Sequence, residues 1–174
     1  NGRTGDLLLD PVSVTIQTGA NAAPPSSMDV INTGWVENQL TTANLTVSTA
    51  DSNNGGNGNI DVTGAISWNS ANTLSLTAAN NINLNASISN AGSGGLNLNT
   101  TGEAIISSNI TIGAPLTANT LHISGGTSNL TKPSSVDTLK VTGGTFNINS
   151  TLTAASLDWV GGSTAQIDSL GSGM

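Results

Sequence analysis

The chain has no cysteine among its 174 residues, so disulfide bonds, thiolate metal sites and cysteine nucleophiles are excluded. Aromatic residues make up only 2% of the sequence and tyrosine is absent, which makes an aromatic platform for sugars or nucleobases hard to build. Charged residues make up 7%, where a globular domain typically has about a quarter. The surface must therefore be polar without being charged.

Positive charge is the scarcest class, since Arg3, Lys132 and Lys140 are the only Lys and Arg residues and the formal net charge is −7. Nucleic acids and anionic lipids are bound through clusters of Lys and Arg. We therefore predict no nucleic-acid partner, and sulfated glycans are disfavoured for the same reason. No stretch approaches the length of a transmembrane segment, so we also predict no membrane insertion.

Asn, Ser and Thr take the place of the missing charges and fill 69 of the 174 positions. Disorder normally combines low hydrophobicity with high charge. Here 36% of the residues are hydrophobic and they alternate regularly with polar ones, which predicts an ordered chain. Apolar residues recur in pairs spaced by two, which places both side chains on the same side of a strand. These pairs are Ile60/Val62, Leu74/Leu76, Ile82/Leu84, Leu96/Leu98, Ile110/Ile112, Leu121/Ile123, Leu139/Val141, Phe146/Ile148 and Leu157/Trp159.

Three copies of an 18-residue unit follow one another at 121–138, 139–156 and 157–174. The shared columns are Leu121/Leu139/Leu157, Ile123/Val141/Trp159 and the glycine pairs Gly125-Gly126, Gly143-Gly144 and Gly161-Gly162. A fixed period near 20 residues with short alternating strands indicates a solenoid, in which each repeat stacks on its neighbours. In the preceding unit the same register predicts the equivalences Ile105 with Ile123 and Ile112 with Leu130. Earlier in the chain the period lengthens to 22 residues, as from Ile60 to Ile82.

Short strands that repeat in one sense between Gly-, Asn- and Ser-rich turns predict an all-β fold, a right-handed parallel β-helix (β-solenoid) of about 18–22 residues per rung. Antiparallel sandwiches need hairpin signals at alternate connections, and these are missing. Rungs lie about 4.8 Å apart, so roughly eight rungs would give a rod of about 40 Å. Aliphatic columns should fill its inside, and Asn, Ser and Thr columns should hydrogen-bond from rung to rung.

The first 50 residues differ from the rest. We predict an N-terminal β segment at 1–50 and β-helix rungs at 51–174, regular from about 103, within one continuous domain. Val36 and Leu40 have helical spacing, which predicts one or two helical turns at 35–41. The other predicted elements are strands at 7–9, 12–16 and 44–49, an excursion loop at 21–33 that holds Pro24-Pro25, and a flexible loop at 51–59.

Three strings together resemble the filamentous-haemagglutinin-like exoproteins of Gram-negative two-partner secretion systems. They are GDLLLDPVSVTIQTG at 5–19, WVENQLTTANLTVST at 35–49 and ISWNSANTLSLTAANNINLNASISNAGSGGLNLNT at 66–100. The resemblance implies a right-handed β-helix that is exported through an outer-membrane transporter and ends up secreted or at the cell surface. It also implies an adhesive or structural shaft whose partner is a glycan or protein receptor on a host or neighbouring cell. The family's shaft has no catalytic residues to transfer to this chain.

Enzymes that bind or cleave carbohydrates share the β-helix architecture and give the main alternative. Glycoside cleavage takes two paired carboxylates, whereas the ten acidic residues here are scattered and none recurs at rung spacing with another. His122, Lys140 and Asp158 occupy one outward column, where Lys140 and Asp158 could form an ion pair worth about 0–1 kcal/mol. We expect a surface ladder rather than an active site, and we predict no catalytic, cofactor-binding or metal site and no cofactor.

Three weaker patterns are each interpreted without a ligand. The run DSNNGGNGNID at 51–61 has Val62 where an EF-hand needs Glu, so we interpret it as a plain loop rather than a calcium site. Six Asn-x-Ser/Thr sequons are as many as chance predicts for this composition, so they are no evidence of glycosylation. A flat threonine rank of the ice-binding kind is started by Thr127 and Thr145, but we expect Asn109 and Ser163 to interrupt it.

The two termini give no sign of a cap. The chain begins at Asn1 and its last residues are Gly171-Ser172-Gly173-Met174, with no amphipathic helix and no charge run. Solenoids need capping units to stay soluble and separate. We therefore expect either continuation into more rungs of a longer protein or end-to-end self-association, including assembly into an extracellular filament.

Overall fold

The computed structural model describes residues 7–9, 11–24, 29–49, 57–160 and 164–167. Nearly all of this backbone consists of short parallel strands. The strands are β1 Leu7–Leu9, β2 Val14–Gln17, β3 Val30–Asn32, β4 Leu45–Ser48, β5 Ile60–Val62, β6 Ile66–Trp68, β7 Leu74–Ala78, β8 Ile82–Leu84, β9 Ile88–Asn90, β10 Leu96–Thr100, β11 Ala104–Ile106, β12 Ile110–Gly113, β13 Leu116–Ile123, β14 Thr127–Leu130, β15 Ser134–Val141, β16 Thr145–Ile148, β17 Leu152–Trp159 and β18 Thr164–Ile167. One α-helix, α1 at Thr33–Leu40, lies between β3 and β4.

The strands wind around three faces, and each strand pairs in parallel with its equivalent one turn later. The first face follows the order β1, β4, β7, β10, β13, β15, β17, and the second follows β3, β2, β5, β8, β11 into the later parts of the same long strands. The third face is a six-stranded sheet in the order β6, β9, β12, β14, β16, β18. The predicted parallel β-helix is therefore confirmed. The described part has about seven turns, one fewer than expected.

Alternation along the strands divides the core from the surface. In β7, for example, Leu74, Leu76 and Ala78 are buried while Ser75 and Thr77 between them are partly exposed. Stacked turns bring equivalent residues together, so that Leu139 pairs with Leu121 on one side and Leu157 on the other. Each aliphatic side chain that is fully withdrawn from water contributes about 1.5–3 kcal/mol. The core is thus a set of aliphatic columns along the rod, as the sequence predicted.

Two predicted equivalences are wrong by one residue. Ile105 pairs with His122 and faces outward, whereas Ile106 pairs with Ile123 in the core. The step between these turns is 17 residues on this face, because the preceding turn is one residue longer. At the other end Thr164, not Ser163, pairs with Thr145. The threonine column therefore runs through Thr127, Thr145 and Thr164, while Ser163 itself lies outside the described residues.

Asparagine, serine and threonine hydrogen-bond from turn to turn, which confirms the predicted polar ladders. Thr117 Oγ1 donates to Asn97 Oδ1 at 2.7 Å, and Asn147 Nδ2 donates to Asn129 Oδ1 at 2.8 Å. At the corners an asparagine Oδ1 accepts the backbone N–H of the next turn. The four such contacts are Asn44 with Thr73, Asn59 with Asn81, Asn81 with Glu103 and Asn109 with Thr127, all between 2.7 and 3.1 Å. Asparagine thus satisfies donors that a sharp corner removes from the sheet.

The glycine pairs of the repeats mark one tight corner. Gly126 and Gly144 have φ of +68° and +76°, in the left-handed region that side chains rarely adopt. A Cβ on Gly126 would also meet the backbone of Ser108, and one on Gly144 would meet that of Gly126. The second glycine of each pair is therefore required by both conformation and stacking. The third pair, Gly161-Gly162, lies outside the described residues.

The helix predicted at 35–41 is confirmed as α1, and it closes part of the N-terminal end of the core. Trp35, Val36 and Leu40 are buried on its inner side. The excursion loop predicted at 21–33 is only partly right, because β3 forms at its end and pairs with β2. Ile31 is fully buried there, and this burial draws the segment back onto the rod.

The strands predicted at 7–9, 12–16 and 44–49 correspond to β1, β2 and β4, with shifted ends for the last two. The loop predicted at 51–59 falls mostly outside the described residues. In the part of the chain that the structure describes, no helix has the length and apolarity needed to cross a membrane. Leu157 keeps its column but is 50% exposed, because β17 pairs with β15 alone among the described strands.

One core position breaks the apolar rule and generates a prediction. Ser128 stands in the column of Ile110 and Phe146, it is 1% exposed, and its Oγ has no hydrogen-bond partner among the described residues. Removing a buried hydroxyl that is unsatisfied removes a desolvation penalty. Ser128→Ala is therefore expected to raise the free energy of unfolding by about 1 kcal/mol, measured by urea titration.

Ser134→Ala is the matched control. Ser134 is also buried on a strand, but its Oγ donates to Lys132 O at 3.0 Å and accepts from Leu116 N at 3.3 Å. Its loss should lower the free energy of unfolding by about 1 kcal/mol. Equal destabilisation by both substitutions would show that the Ser128 hydroxyl has a partner in solution.

Candidate functional site

A cluster of charged and polar side chains on the second face is the site closest to the predicted ladder. The strand register places His122 beside Lys140 and Lys140 beside Asp158, as predicted. His122 Nδ1 lies 2.5 Å from Glu103 Oε2, and Lys140 Nζ lies 2.7 Å from Glu103 Oε1. Glu103 thus joins two successive turns through its two carboxylate oxygens.

Glu103 is the member of this cluster that the sequence did not reveal. The sequence suggested an ion pair between Lys140 and Asp158, but Lys140 reaches back to Glu103 instead. Glu103 stands just before β11, and β11 was placed one residue out of register. With Ala104 and Ile106 in the core, Glu103 faces outward beside the histidine column, which is the signal that would have identified it.

Electrostatics favour the charged form of the Glu103 carboxyl. The hydrogen bond from Lys140 holds the pKa of Glu103 below its usual value, and the hydrogen bond and charge of His122 add to this against the opposing effect of burial. An ionised carboxylate only accepts hydrogen bonds. The His122 Nδ1 must therefore carry the proton of the contact with Glu103.

The second ring nitrogen of His122 completes a chain of polar contacts. Its Nε2 lies 2.8 Å from Thr142 Oγ1, so hydroxyl, imidazole and carboxylate follow one another. Hydrolases order the same three groups to activate a hydroxyl. Thr142, however, is exposed at a corner, and it lines none of the depressions described below. A substrate would have no walls to hold it there, so we interpret the chain as a polar clamp between turns.

Shallow depressions elsewhere on the rod offer the remaining candidate sites. One of about 230 Å³ lies over β10, β13 and β15 and includes Asp137, and another of about 340 Å³ lies over β12 and β14 without a carboxylate. A third, of about 490 Å³, lies beside α1 and includes Glu37. The paired carboxylates of glycoside cleavage do not meet in any of these three. Among the described residues no cluster of His, Asp and Glu could hold a metal ion.

The predicted plain loop at 51–61 stays largely outside the described residues. Its visible end is occupied by internal contacts, because Asn57 Oδ1 accepts hydrogen bonds from Ser13 Oγ at 2.8 Å and from Asn59 N at 3.0 Å. The interpretation of this run as a plain loop without calcium remains a prediction.

Comparison with family models, with curated proteins and with solved structures finds no match to this chain. The assignment therefore rests on the architecture itself. The chain is a β-solenoid with uncharged polar ladders on its outside, and its resemblance to filamentous-haemagglutinin-like exoproteins remains an expectation from the sequence.

The Glu103 contacts predict a pH dependence of stability. Because the folded pKa of Glu103 lies below the unfolded value of 4.5, its contribution is fully present above pH 4.5 and is lost as the pH falls through the folded pKa. Wild type should exceed Glu103→Gln in free energy of unfolding at pH 7 by up to about 1 kcal/mol, since the pair is partly exposed. Urea titrations from pH 7 to pH 2 should show this gap closing below pH 4.5.

Asp158→Asn is the matched control, since Asp158 is exposed and forms no ion pair among the described residues. Its gap to wild type should stay small throughout. A wild-type advantage over Glu103→Gln that persists unchanged to pH 2 would contradict the clamp.

Proposed function

We propose that this chain is a structural and adhesive shaft segment of a secreted bacterial surface protein, which holds length and presents loops for attachment. The observation that carries the proposal is the unbroken parallel pairing from β4 to β17 along the first face. Each turn contacts only the turns beside it, so distance along the rod is set by the number of turns. Such a molecule supplies extension rather than chemistry.

The surface of the rod supports the same proposal. Its outward positions are dominated by Asn, Ser and Thr that bond to neighbouring turns, and charge is concentrated in the single cluster around Glu103. A polar, weakly charged surface stays hydrated without attracting nucleic acids or anionic membranes. Export through an outer-membrane transporter and residence at the surface of a Gram-negative cell belong to the proposal through the sequence resemblance.

Surface display tests this function. The chain, with a C-terminal epitope tag, would be fused behind the secretion domain of a two-partner exoprotein and expressed with its cognate transporter. We expect antibody to label the tag on intact cells, because the strands can fold turn by turn as they emerge. We also expect those cells to attach to host or neighbouring cells more than cells that display the secretion domain alone.

Cells without the transporter should show no labelling. Retention of the tagged chain inside the cell while the secretion domain alone is exported would contradict the proposal. Efficient display without any gain in attachment would limit the role to a passive spacer and contradict the adhesive part.

A further inference from the structure

The depression beside α1 combines groups that the rest of the rod keeps apart. The six-stranded sheet begins at β6, and α1 packs against β6 where another strand would otherwise lie. The change from helix to strand leaves a hollow of about 490 Å³, which we call the α1–β6 depression. It is lined chiefly by Glu37, Asn38, Trp68, Asn69, Ser89 and Ala91.

One carboxylate oxygen in this depression is free to accept. Glu37 Oε1 accepts the backbone N–H of Ser67 at 2.7 Å, which satisfies a donor at the edge of β6. The hydroxyl of Ser67 approaches the same oxygen at 3.5 Å. Within the described part of the chain Oε2 has no partner, although the first oxygen fixes the orientation of the carboxylate. A ligand donor would meet a positioned acceptor.

Two amides beside it are also uncommitted. The side chains of Asn38 and Asn69 are exposed and form no hydrogen bond to any described residue. Asparagines at the corners of the rod behave differently, since Asn44 and Asn81 accept from the backbone of the next turn. An amide both donates and accepts, so this pair can serve a hydroxyl in either sense.

Trp68 supplies the apolar part of the depression. Its ring is 6% exposed, and its Nε1–H donates to Asn72 O at 2.8 Å, so its polar atom is turned inward and satisfied. What remains at the surface is ring carbon, next to the methyl group of Ala91. An apolar patch with a few convergent polar groups is the usual composition of a small-ligand site.

We propose that the α1–β6 depression binds one uncharged sugar unit of a surface glycan. Sugar hydroxyls donate to the Glu37 carboxylate and exchange hydrogen bonds with the two amides, while the C–H face of the ring lies on Trp68. No lining residue is Lys or Arg, which argues against sialylated or sulfated sugars. The inference rests on the proposed attachment function, since it names the receptor chemistry for that role.

A printed array of neutral, sialylated, sulfated and amino-sugar glycans, probed with the full 174-residue chain, tests the proposal. We expect binding to neutral glycans only. Glu37→Gln keeps an oxygen for Ser67 N–H and so preserves the edge of β6, but it loses the charged acceptor. Glu37→Gln, Asn38→Ala and Asn69→Ala should each weaken binding to the neutral glycans by about three- to tenfold, as expected for one hydrogen bond.

Asn149→Ala, at an exposed asparagine after β16, is the matched control and should leave the array pattern unchanged. An array without any bound glycan, binding to charged glycans alone, or neutral binding that survives all three substitutions would overturn the proposal. Surface display and attachment could still succeed in that case, for example through a protein receptor, so failure of this site is distinguishable from failure of the shaft.

Discussion

The structure depends on one repeated interaction, the parallel pairing of each turn with the next over a column of aliphatic side chains. The pairing fixes the register, and the register decides which residues enter the core. A shift by one residue would turn every inward Leu and Ile of a strand to solvent. Polar ladders, glycine corners and the Glu103 clamp are all consequences of that register, because they join positions that stacking brings within hydrogen-bond distance.

The fold was predictable because its signal is periodic. Spacing by two within strands and by 18 or 22 residues between turns depends only on which residues are apolar, and the structure reproduces the columns of Leu139 and of Ile112. The registers that failed lie where a strand reads ambiguously. In Ala104–Ile106 two adjacent isoleucines satisfy either alternation, and only a turn one residue shorter than its neighbours settles which faces inward.

The candidate sites were less predictable, because they join residues from elements of different kind. Glu103 reaches His122 and Lys140 across two turns, and no period connects an acid at a corner to a ladder of different residues. The α1–β6 depression depends on a helix replacing a strand, which brings Glu37 to the edge of β6. The sequence predicted the helix from Val36 and Leu40, but the spacing says nothing of what its outer side will meet.

Lengthening the rod is the most direct test of the central claim that each turn is an additive unit. Three extra copies of residues 139–156, inserted after Ser156, should extend the molecule by about 14 Å while it keeps a β-rich spectrum and cooperative unfolding. Small-angle scattering measures the maximum dimension, and an insert of the same composition in shuffled order is the control. A maximum dimension that does not grow, or that grows equally with the shuffled insert, would contradict the account.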